Sequence, residues 1–566
     1  MLTVKVAFPP PSRSRPGTLL LDVILGIALF MIFLGALGTT LINGEEATEA
    51  SGDRVRGTSI AQQAIEASQS IRDQDFSLLT VGTHGVRVNS TTGKWEFNGS
   101  QSSSSGGYLT SVTVDSMSDG SVFVTATTTW TRIPNRPGGV SLSMILSNWQ
   151  KSLQIGNWGT FTLTGSYIVT GGGTPLFNDV ALSGNFAYVS SETSGGGAGL
   201  YILDVSTPTN PVRVNSSFSL GYAGYAIAIR NSVLYILTSD ANGEIKAYDI
   251  STPASPVFLT SYDLPGGGAA KALFIYGSKL YVGATGLSGA TNAWLPRTVI
   301  IARSQPDLPE WIVPRALASN NHCFDGHGHE QNCSSASSAG SSSSSSSSGP
   351  YPNGNDFFVF DISNPSAIVY KSSLYVQGVN DIAVTGTSAY LASPLDTAEL
   401  RVVNVTNPKS VQFATGSVNA APNGGYNLND RTLDGLTVAT TGTSGLIGTE
   451  HGGAIQELVL FDIKYPGVPM PPPGPWYYYA SGSIVKAAGD PSGCYAFIAT
   501  SWRTQMLQVL KLQDHSLTKL QFYTAPSSAN NGARGMFYDA SHDRVYVVNQ
   551  NGVFIFQPGP PPSACP

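Results

Sequence analysis

The chain has 566 residues and a formal net charge of −6, and only 12% of its residues are charged. This length allows two domains, each with its own hydrophobic core. The low charge and the lack of a basic stripe argue against nucleic acid as a partner.

The first element is an apolar segment that begins after Gly17 and ends near Ile42. It is long enough for a membrane helix, and the residues before it carry three basic side chains and no acid. We therefore expect residues 1–17 in the cytoplasm, a single-pass transmembrane helix over 18–42 that makes the membrane a partner, and the bulk of the chain outside. Asp22 interrupts the apolar run, and the cost of a carboxylate in such a helix suggests a role in assembly.

Gly17, the apolar start and the acid at the fifth position after it resemble the class III signal of type IV pilins and pseudopilins. The resemblance implies that Gly17 and the rest of a prepilin leader are removed by a prepilin peptidase. It also implies that Thr18 becomes a methylated N-terminus and that Asp22 pairs with the terminal amine of another pilin subunit. The family normally carries Glu at that position, and Asp is shorter by one methylene. A plain signal anchor, with Asp22 at the interface, is the alternative.

Residues 43–150 are predicted to form a long helix and a small antiparallel sheet. One apolar helix face is formed by Ile60, Ala61, Ala64, Ile65, Ser68 and Ile71. Strand-like segments lie around Trp95 and start at Tyr108, Ser121 and Gly139. The string AQQAIEASQSIRDQDFSLLTVGTHGV, with TTTWTR and SLSMILSNW, resembles pilin-like proteins of small-genome bacterial lineages. That resemblance implies a pilin-like α+β domain.

After Trp149 the chain repeats with a period of roughly 47 residues. The clearest copies contain GLYILDVSTP, EIKAYDISTP, FFVFDISNP, LRVVNVTNP and LVLFDIK, each preceded by an earlier strand pair such as NDVALSGNFAYVSS. Two degenerate copies follow from Val485 and Ala533. Four short strands in each copy predict a β-propeller of about seven blades over 159–557. The copies resemble the LVIVD-type repeat of surface and secreted bacterial propellers.

The predicted fold class is mainly β with a long N-terminal α-helix: a pilin-like α+β domain, then a β-propeller and a Pro-rich tail over 558–566. The last copy lacks a fourth strand, so we expect the segment from Gly159 to supply it and close the ring. The residues that end the third strands are interpreted as turn formers, because Asp or Asn can bond the amides ahead and the following Pro fixes φ. They are Asp204, Asp249, Asp361, Asn404 and Asp462.

An insertion over 285–355 interrupts the third blade and ends in a serine tract that cannot bury apolar surface. The string NNHCFDGHGHEQNC precedes the tract and allows two interpretations. In an oxidising exterior, Cys323 and Cys333 form a disulfide. Alternatively, the segment binds Zn or Cu, the one cofactor that the sequence suggests. The candidate metal ligands are His322, Asp325, His327, His329 and Glu330. Cys494 and Cys565 could form a second disulfide, which sequence alone does not establish.

No hydrolase elbow, phosphate loop, zinc-protease helix or Ser-His-Asp order stands out in the sequence, so we expect no enzyme; the stretch around His451 is the first to inspect for chemistry. The favoured function is a membrane-anchored, pilin-like cell-surface protein, a minor or tip subunit of a pilus-like filament. Its propeller would serve adhesion or bind an unknown extracellular ligand. The alternatives are an envelope-tethered propeller enzyme or metal-binding protein, and a pseudopilin of a secretion or DNA-uptake system.

Overall fold

The chain divides into two compact units, one formed by residues 1–115 with 121–148 and the other by 116–120 with 149–566. The structure is a computed structural model. It describes residues 16–116, 121–133, 136–148, 155–170, 175–192, 199–215, 218–264, 269–285, 322–324, 330–332, 355–395, 398–414, 425–426, 433–442, 444–451, 457–463, 477–513, 516–526 and 531–561.

In its described residues, the first unit contains one long helix and seven strands. The helix α1 spans Pro16–Gln74 and is followed by a single 3-10 turn, Phe76–Leu78. The strands are β1 (Gly82–His84), β2 (Val86–Val88), β3 (Trp95–Phe97), β4 (Ser102–Ser104), β5 (Tyr108–Ser116), β6 (Val122–Ile133) and β7 (Arg136–Leu146). One sheet has the order β1-β5-β6-β7, with β4 also paired to β5, and β2 and β3 form a separate pair.

The C-terminal half of α1 packs on this sheet through the predicted face. Ala61, Ala64, Ile65, Ser68 and Ile71 are all at most 6% exposed, whereas Ile60 is half-buried. Ala64, Ile65 and Ile71 pack with the buried valines of β5 and β6. Small side chains along this face let the helix approach the sheet closely. At Gly57 an added Cβ would lie 2.4 Å from the ring of Trp130. The buried carboxylate of Asp53 accepts a hydrogen bond of 2.8 Å from the Tyr108 hydroxyl.

The predicted fold class is wrong in its pilin-like α+β domain. In the described part of the chain, one α-helix stands beside 38 strands, so the molecule is mostly β and made of many small sheets. A helix packed on an antiparallel sheet is a general layer arrangement. Helical spacing followed by strands therefore predicted these elements but did not specify a pilin.

The predicted membrane span over 18–42 is also corrected. Among the helices that the structure describes, none combines the length and the apolar character needed to cross a membrane. The localisation that was derived from this span, a single-pass membrane protein with its bulk outside, is withdrawn with it.

The second unit begins with β8 (Asn157–Ile168) and continues with seven groups of strands, here called blades 1 to 7. Blade 1 contains β9 (Leu176–Ser183), β10 (Phe186–Glu192), β11 (Leu200–Asp204) and β12 (Val212–Arg213). Blade 2 contains β13 (Gly224–Arg230), β14 (Val233–Thr238), β15 (Ile245–Asp249) and β16 (Val257–Tyr262). Each of these two blades has four antiparallel strands, as the repeat predicted.

Blade 3 is split by the insertion. It contains β17 (Ala269–Tyr276), β18 (Lys279–Thr285), β21 (Phe357–Asp361) and β22 (Val369–Leu374), whereas β19 (His322–Phe324) and β20 (Glu330–Asn332) pair with each other inside the insertion. Blade 4 contains β23 (Asp381–Thr385), β24 (Ser388–Ala392), β25 (Leu400–Asn404) and β26 (Gln412–Phe413), and β27 (Gly425–Tyr426) also pairs with β25. The insertion thus lies between the second and third strands of blade 3.

Blades 5 to 7 complete the series. Blade 5 contains β28 (Gly435–Thr441), β29 (Ser444–Thr449), β30 (Leu458–Asp462) and β31 (Tyr477–Tyr478). Blade 6 contains β32 (Ile484–Gly489), β33 (Tyr495–Thr500), a 3-10 turn (Arg503–Gln505), β34 (Leu507–Gln513) and β35 (Ser516–Tyr523). Blade 7 contains β36 (Ala533–Asp539), β37 (Arg544–Asn549), β38 (Gly552–Gly559) and β8.

The first strand of each blade lies at the inner side of the ring. These inner strands contact one another in the circle β9-β13-β17-β23-β28-β32-β36 and back to β9. The propeller part of the prediction, with about seven blades, is therefore confirmed. Because each blade twists, hydrophobic side chains from both faces of a sheet fill the space between neighbours.

The ring is closed by β8, as the sequence predicted. This strand pairs with β38 from Ile168 opposite Gly552 to Asn157 opposite Gly559, so the pairing extends two residues beyond the predicted end at 557. Trp158 is fully buried between blades 6 and 7, and its Nε1 donates a hydrogen bond of 2.8 Å to the Asp543 carboxylate. Closure removes an exposed strand edge.

Candidate functional site

The strand-end residues form turns, as predicted. The side-chain oxygens of Asp204, Asp249, Asp361 and Asn404 each accept a hydrogen bond of 2.8–2.9 Å from the backbone amide two residues ahead. At Asp361, burial by itself raises the pKa. Bonds from Ser363 and the ammonium groups of two lysines at 3.2–3.3 Å outweigh burial and hold the pKa below its ordinary value. For Asp462 the amide two residues ahead lies outside the described residues, so its turn bond stays a prediction.

The other predicted site residues lie largely outside the described part of the chain. Gly17, Thr18 and Asp22 fall within the first turns of α1, but the description does not extend to their side chains. In the insertion, the backbones of His322 and Glu330 lie in the hairpin β19-β20, whereas Cys333, Asp325, His327 and His329 are not described. The disulfide and metal interpretations of this segment both stay predictions.

Cys494 is disulfide-bonded. It lies in the turn between the first two strands of blade 6. Cys565, its predicted partner, is outside the described residues, so that pairing also stays a prediction.

A recurring β-bulge gives the inner strands their most distinctive feature. In blades 1, 2, 3, 5, 6 and 7 the register with the second strand shifts by one residue near the start of the inner strand. In blade 2 the shift spans Tyr225 and Ala226, whereas in each of the other five blades it leaves one inner-strand residue unpaired. A bulge leaves one residue outside the ladder and re-aims its side chain. We call the five bulged residues the bulge ring: Asn178, Lys271, Leu436, Val485 and Arg534.

The bulge ring borders a cavity at the end of the channel where the inner strands begin. The cavity has a volume of about 100 Å³ and is lined by four of the five members, all except Asn178. Asn380, which immediately precedes β23 in blade 4, lines it as well. The remaining lining residues are Pro394, Asp434, Ser483, Ser501 and Ala533. Residues from five blades thus converge on one space.

Two members of the bulge ring also tie neighbouring blades together. Arg534 is 3% exposed, and its Nη2 donates to Asn178 at 2.6 Å and to Glu192 at 2.7 Å, which links blade 7 to blade 1. The Asn178 amide in turn donates to the Gly224 carbonyl of blade 2 at 2.8 Å. The Arg534 guanidinium thus pairs with a carboxylate, so its charge at the cavity is largely balanced.

A second network runs below the cavity. The Asp381 carboxylate accepts hydrogen bonds from Thr437 Oγ1 at 2.7 Å, from the Val438 amide at 3.2 Å and from Lys486 Nζ at 2.7 Å. Asn380, its neighbour in sequence, donates to the Gly435 carbonyl at 2.8 Å. These bonds join blades 4, 5 and 6 and hold the cavity wall in place.

The stretch around His451 lies directly behind this wall. Nδ1 of His451 is 2.5 Å from Oε1 of the buried Glu457, and the other oxygen of that carboxylate accepts from the Ala480 amide at 2.8 Å. The backbone amide of His451 donates to Ser483 Oγ at 3.0 Å. The imidazole lies 5.9 Å from the ring of Trp502, centroid to centroid. The imidazole is therefore held by a carboxylate, and the serine interacts with the backbone rather than with the ring.

Ser501 gives the cavity its clearest chemical signal. The residue is 5% exposed and belongs to the lining, and its side-chain oxygen is buried. Within the part of the chain that the structure describes, its hydroxyl oxygen has no hydrogen-bond partner. Buried hydroxyls are rarely left unpaired, because the lost hydrogen bond costs about 1–3 kcal/mol.

Sequence reasoning did not find this site. The repeats showed the Asn-Asp pairs at Asn178 and Asn380 as part of the second element, and this repetition was the available signal for the links between blades. The bulged position itself carries a different residue type in each of the five blades, so it shows no motif. Only the register of the strands reveals that these side chains share one place.

The comparison with family models agrees with the repeats. The model of the LVIVD repeat matches residues 177–217, 224–264 and 352–375, which belong to blades 1 to 3. The chain therefore contains LVIVD repeats, and none of the matched residues lies in the N-terminal unit where the pilin resemblance was found. No curated protein matches the chain.

Several solved structures are similar to this chain. A crystal structure of the mitotic checkpoint complex has a TM-score of 0.42 at 9% identity, over 71% of this chain and 95% of that one. The WD40 repeats of RRP9 give 0.41 at 8%, over 71% and 98%. The extracellular domain of a hybrid two-component system protein from B. thetaiotaomicron gives 0.36 at 13%, over 70% and 39%. At these identities the likeness concerns the fold alone.

Proposed function

We propose that this chain is a binding protein whose propeller holds a ligand at the bulge-ring end of its channel, for adhesion or ligand capture outside the cell. The observation that carries the proposal is the convergence of side chains from five blades on one cavity. Concave sites with an apolar lining and a few placed polar groups are the usual ligand sites of proteins. The disulfide at Cys494 supports an oxidising exterior.

Binding is favoured over catalysis by the geometry beside the cavity. A serine nucleophile needs a base within hydrogen-bond reach of its hydroxyl. In the described residues, Ser483 is bonded by the backbone amide of His451, and the imidazole is paired with Glu457. This arrangement holds the wall but does not activate the hydroxyl.

The direct test of the proposal is binding by the purified full chain. Labelled protein is titrated onto intact cells and onto extracted envelope polysaccharides, beside the variant Leu436→Trp, which fills the cavity. Val212→Trp, on an outer strand where the native side chain is 51% exposed, is the matched control. We expect saturable binding that Leu436→Trp abolishes and Val212→Trp retains. Absence of saturable binding, or equal binding by both variants, would refute the proposal.

A metal-dependent enzyme is the second candidate, and it rests on the His-rich sequence of the insertion. Metal analysis of the purified protein, with and without His327→Ala and His329→Ala, separates the two functions. Stoichiometric Zn or Cu that both variants lose, together with conversion of a bound ligand, would favour the enzyme. Binding without metal or conversion favours the binding protein.

The filament part of the hypothesis rests on the resemblance of residues 17–22 to a class III signal. Its expected partners are a prepilin peptidase and other subunits, and the chain would be a minor or tip subunit rather than a major one. N-terminal analysis of the native protein tests it: methylated Thr18 supports processing, and an intact Met1 overturns it. Loss of secretion or DNA uptake with unchanged attachment would instead indicate a pseudopilin.

A further inference from the structure

We propose that the cavity at the bulge ring binds a single neutral sugar ring. This inference rests on the proposed binding function and names its ligand class. It starts from Ser501, a residue of the lining whose buried hydroxyl oxygen has no partner among the described residues. A hydroxyl can both donate and accept, so a ligand that carries hydroxyl groups satisfies it in either sense.

The rest of the lining has two chemically different parts. Ser483, Asn380 and Asp434 contribute a hydroxyl, an amide and a carboxylate. Leu436 and Val485, neighbours in the bulge ring, contribute an apolar surface, to which Pro394 and Ala533 add. A pyranose ring has the same division, since its C–H groups form apolar faces and its hydroxyl groups project from the edge. Each part of the lining therefore has a counterpart in the ligand.

Charge and size narrow the ligand class further. The cations at the cavity are Lys271 and Arg534, and the acids are Asp434 in the lining and Glu192, which binds Arg534 at 2.7 Å. With two charges of each sign, the site does not select an anion. The cavity volume of about 100 Å³ limits the ligand to a small molecule, such as one sugar ring.

The test uses defined probes and the full chain. Methyl glycosides of glucose, galactose, mannose and N-acetylglucosamine are titrated individually, with saturation-transfer NMR and calorimetry as readouts. At least one glycoside should bind saturably. Ser501→Ala should weaken that binding about three- to tenfold, the usual effect of one lost neutral hydrogen bond. Leu436→Trp should abolish it. Ser251→Ala, at an exposed turn, and Val212→Trp are the matched controls and should leave it unchanged.

Three results would overturn the inference: no glycoside binds the native chain, both cavity variants bind as the native chain does, or a control loses binding as they do. The cell and polysaccharide assay is run on the same protein samples. If the chain binds cells in a Leu436-dependent manner but binds no glycoside, the sugar inference fails and the proposed function stands. If it binds neither, both fail. Circular dichroism and melting curves verify that each variant is folded.

Discussion

Ring closure by β8 makes the stability of the propeller depend on Trp158. This side chain is fully buried between blades 6 and 7, and its ring lies 4.8 Å from that of Phe497 in an edge-to-face arrangement. Its Nε1 donates to Asp543, which also accepts from the Gly156 amide at 2.7 Å and from the Tyr538 hydroxyl at 2.9 Å. Trp158 thus combines a hydrophobic contact with blade 6 and a hydrogen bond to Asp543 of blade 7.

Replacing Trp158 with Ala should destabilise the propeller by about 4 kcal/mol, within the range of about 3–5 kcal/mol for a buried Trp. Unfolding entropy is about 2.1 cal/mol/K per residue, so a unit of about 400 residues should melt about 5 °C lower. Trp158→Phe keeps an aromatic ring and loses the bond to Asp543. It should cost about 1–2 kcal/mol and lower the melting temperature by about 2 °C.

Differential scanning calorimetry of the full chain measures these shifts without relying on tryptophan fluorescence. Phe522→Ala is the control, because this aromatic side chain of the neighbouring blade 6 is 47% exposed; it should melt within about 1 °C of the native protein. If Trp158→Ala also melts within about 1 °C of the native protein, β8 does not hold the ring closed.

Three further predictions concern single side chains. Asp381→Ala leaves the Lys486 ammonium without its 2.7 Å partner and should lower the unfolding free energy by about 3 kcal/mol in urea titrations. Burial raises the pKa of Asp490 above its ordinary 3.8, so the native state holds this proton more tightly than the unfolded chain and the protein loses stability as pH rises above about 4. The unfolding free energy of Asp490→Asn should therefore increase relative to that of the native protein between pH 4 and 7. A difference that does not change with pH would contradict this. Leu436→Ala should cost under about 1 kcal/mol and Val438→Ala, at 3% exposure, about 2 kcal/mol, and equal costs would contradict the division between cavity and core.

The sequence predicted those features that depend on local patterns. The helical spacing over 61–71 identified the buried face of α1, because the period of a helix brings every third or fourth residue to one side. The alternation in each repeat gave the strands, and the missing fourth strand of the last copy located β8. The turn function of Asp204 and its counterparts followed from side-chain chemistry alone.

The incorrect predictions came from the N-terminal residues. The membrane localisation came from the apolar run over 18–42 and the basic residues before it. The pilin-like domain came from the resemblance of Gly17 and Asp22 to a signal, together with the helical spacing, strand-like segments and sequence strings that follow. The elements after them were correct as a helix and strands, but those elements occur in many folds. A motif of a few residues constrains processing chemistry more than it constrains the tertiary structure behind it.

The cavity was not predictable because its members share no residue type and are far apart in sequence. Lys271 and Arg534 occupy equivalent bulges in blades 3 and 7. That both line one cavity depends on a one-residue shift of strand register in each blade. Such a shift moves a side chain from one face of a strand to another. A periodic sequence pattern does not show a one-residue register shift, so sequence analysis predicted the ring of blades but not the cavity.

The position of the bulge explains how a repeat protein can acquire a specific site without losing its fold. A residue paired within a ladder must fill the space between two blades, as Val438 and Met536 do at 3% exposure. The residue at the bulge is not paired in the strand ladder, so strand pairing does not fix its size or polarity. Leu436, Val485 and Arg534 fill this position in blades 5 to 7, of which the last two are the degenerate copies of the repeat. Divergence at the bulge can therefore alter the lining of the cavity while the hydrophobic contacts between the blades are retained.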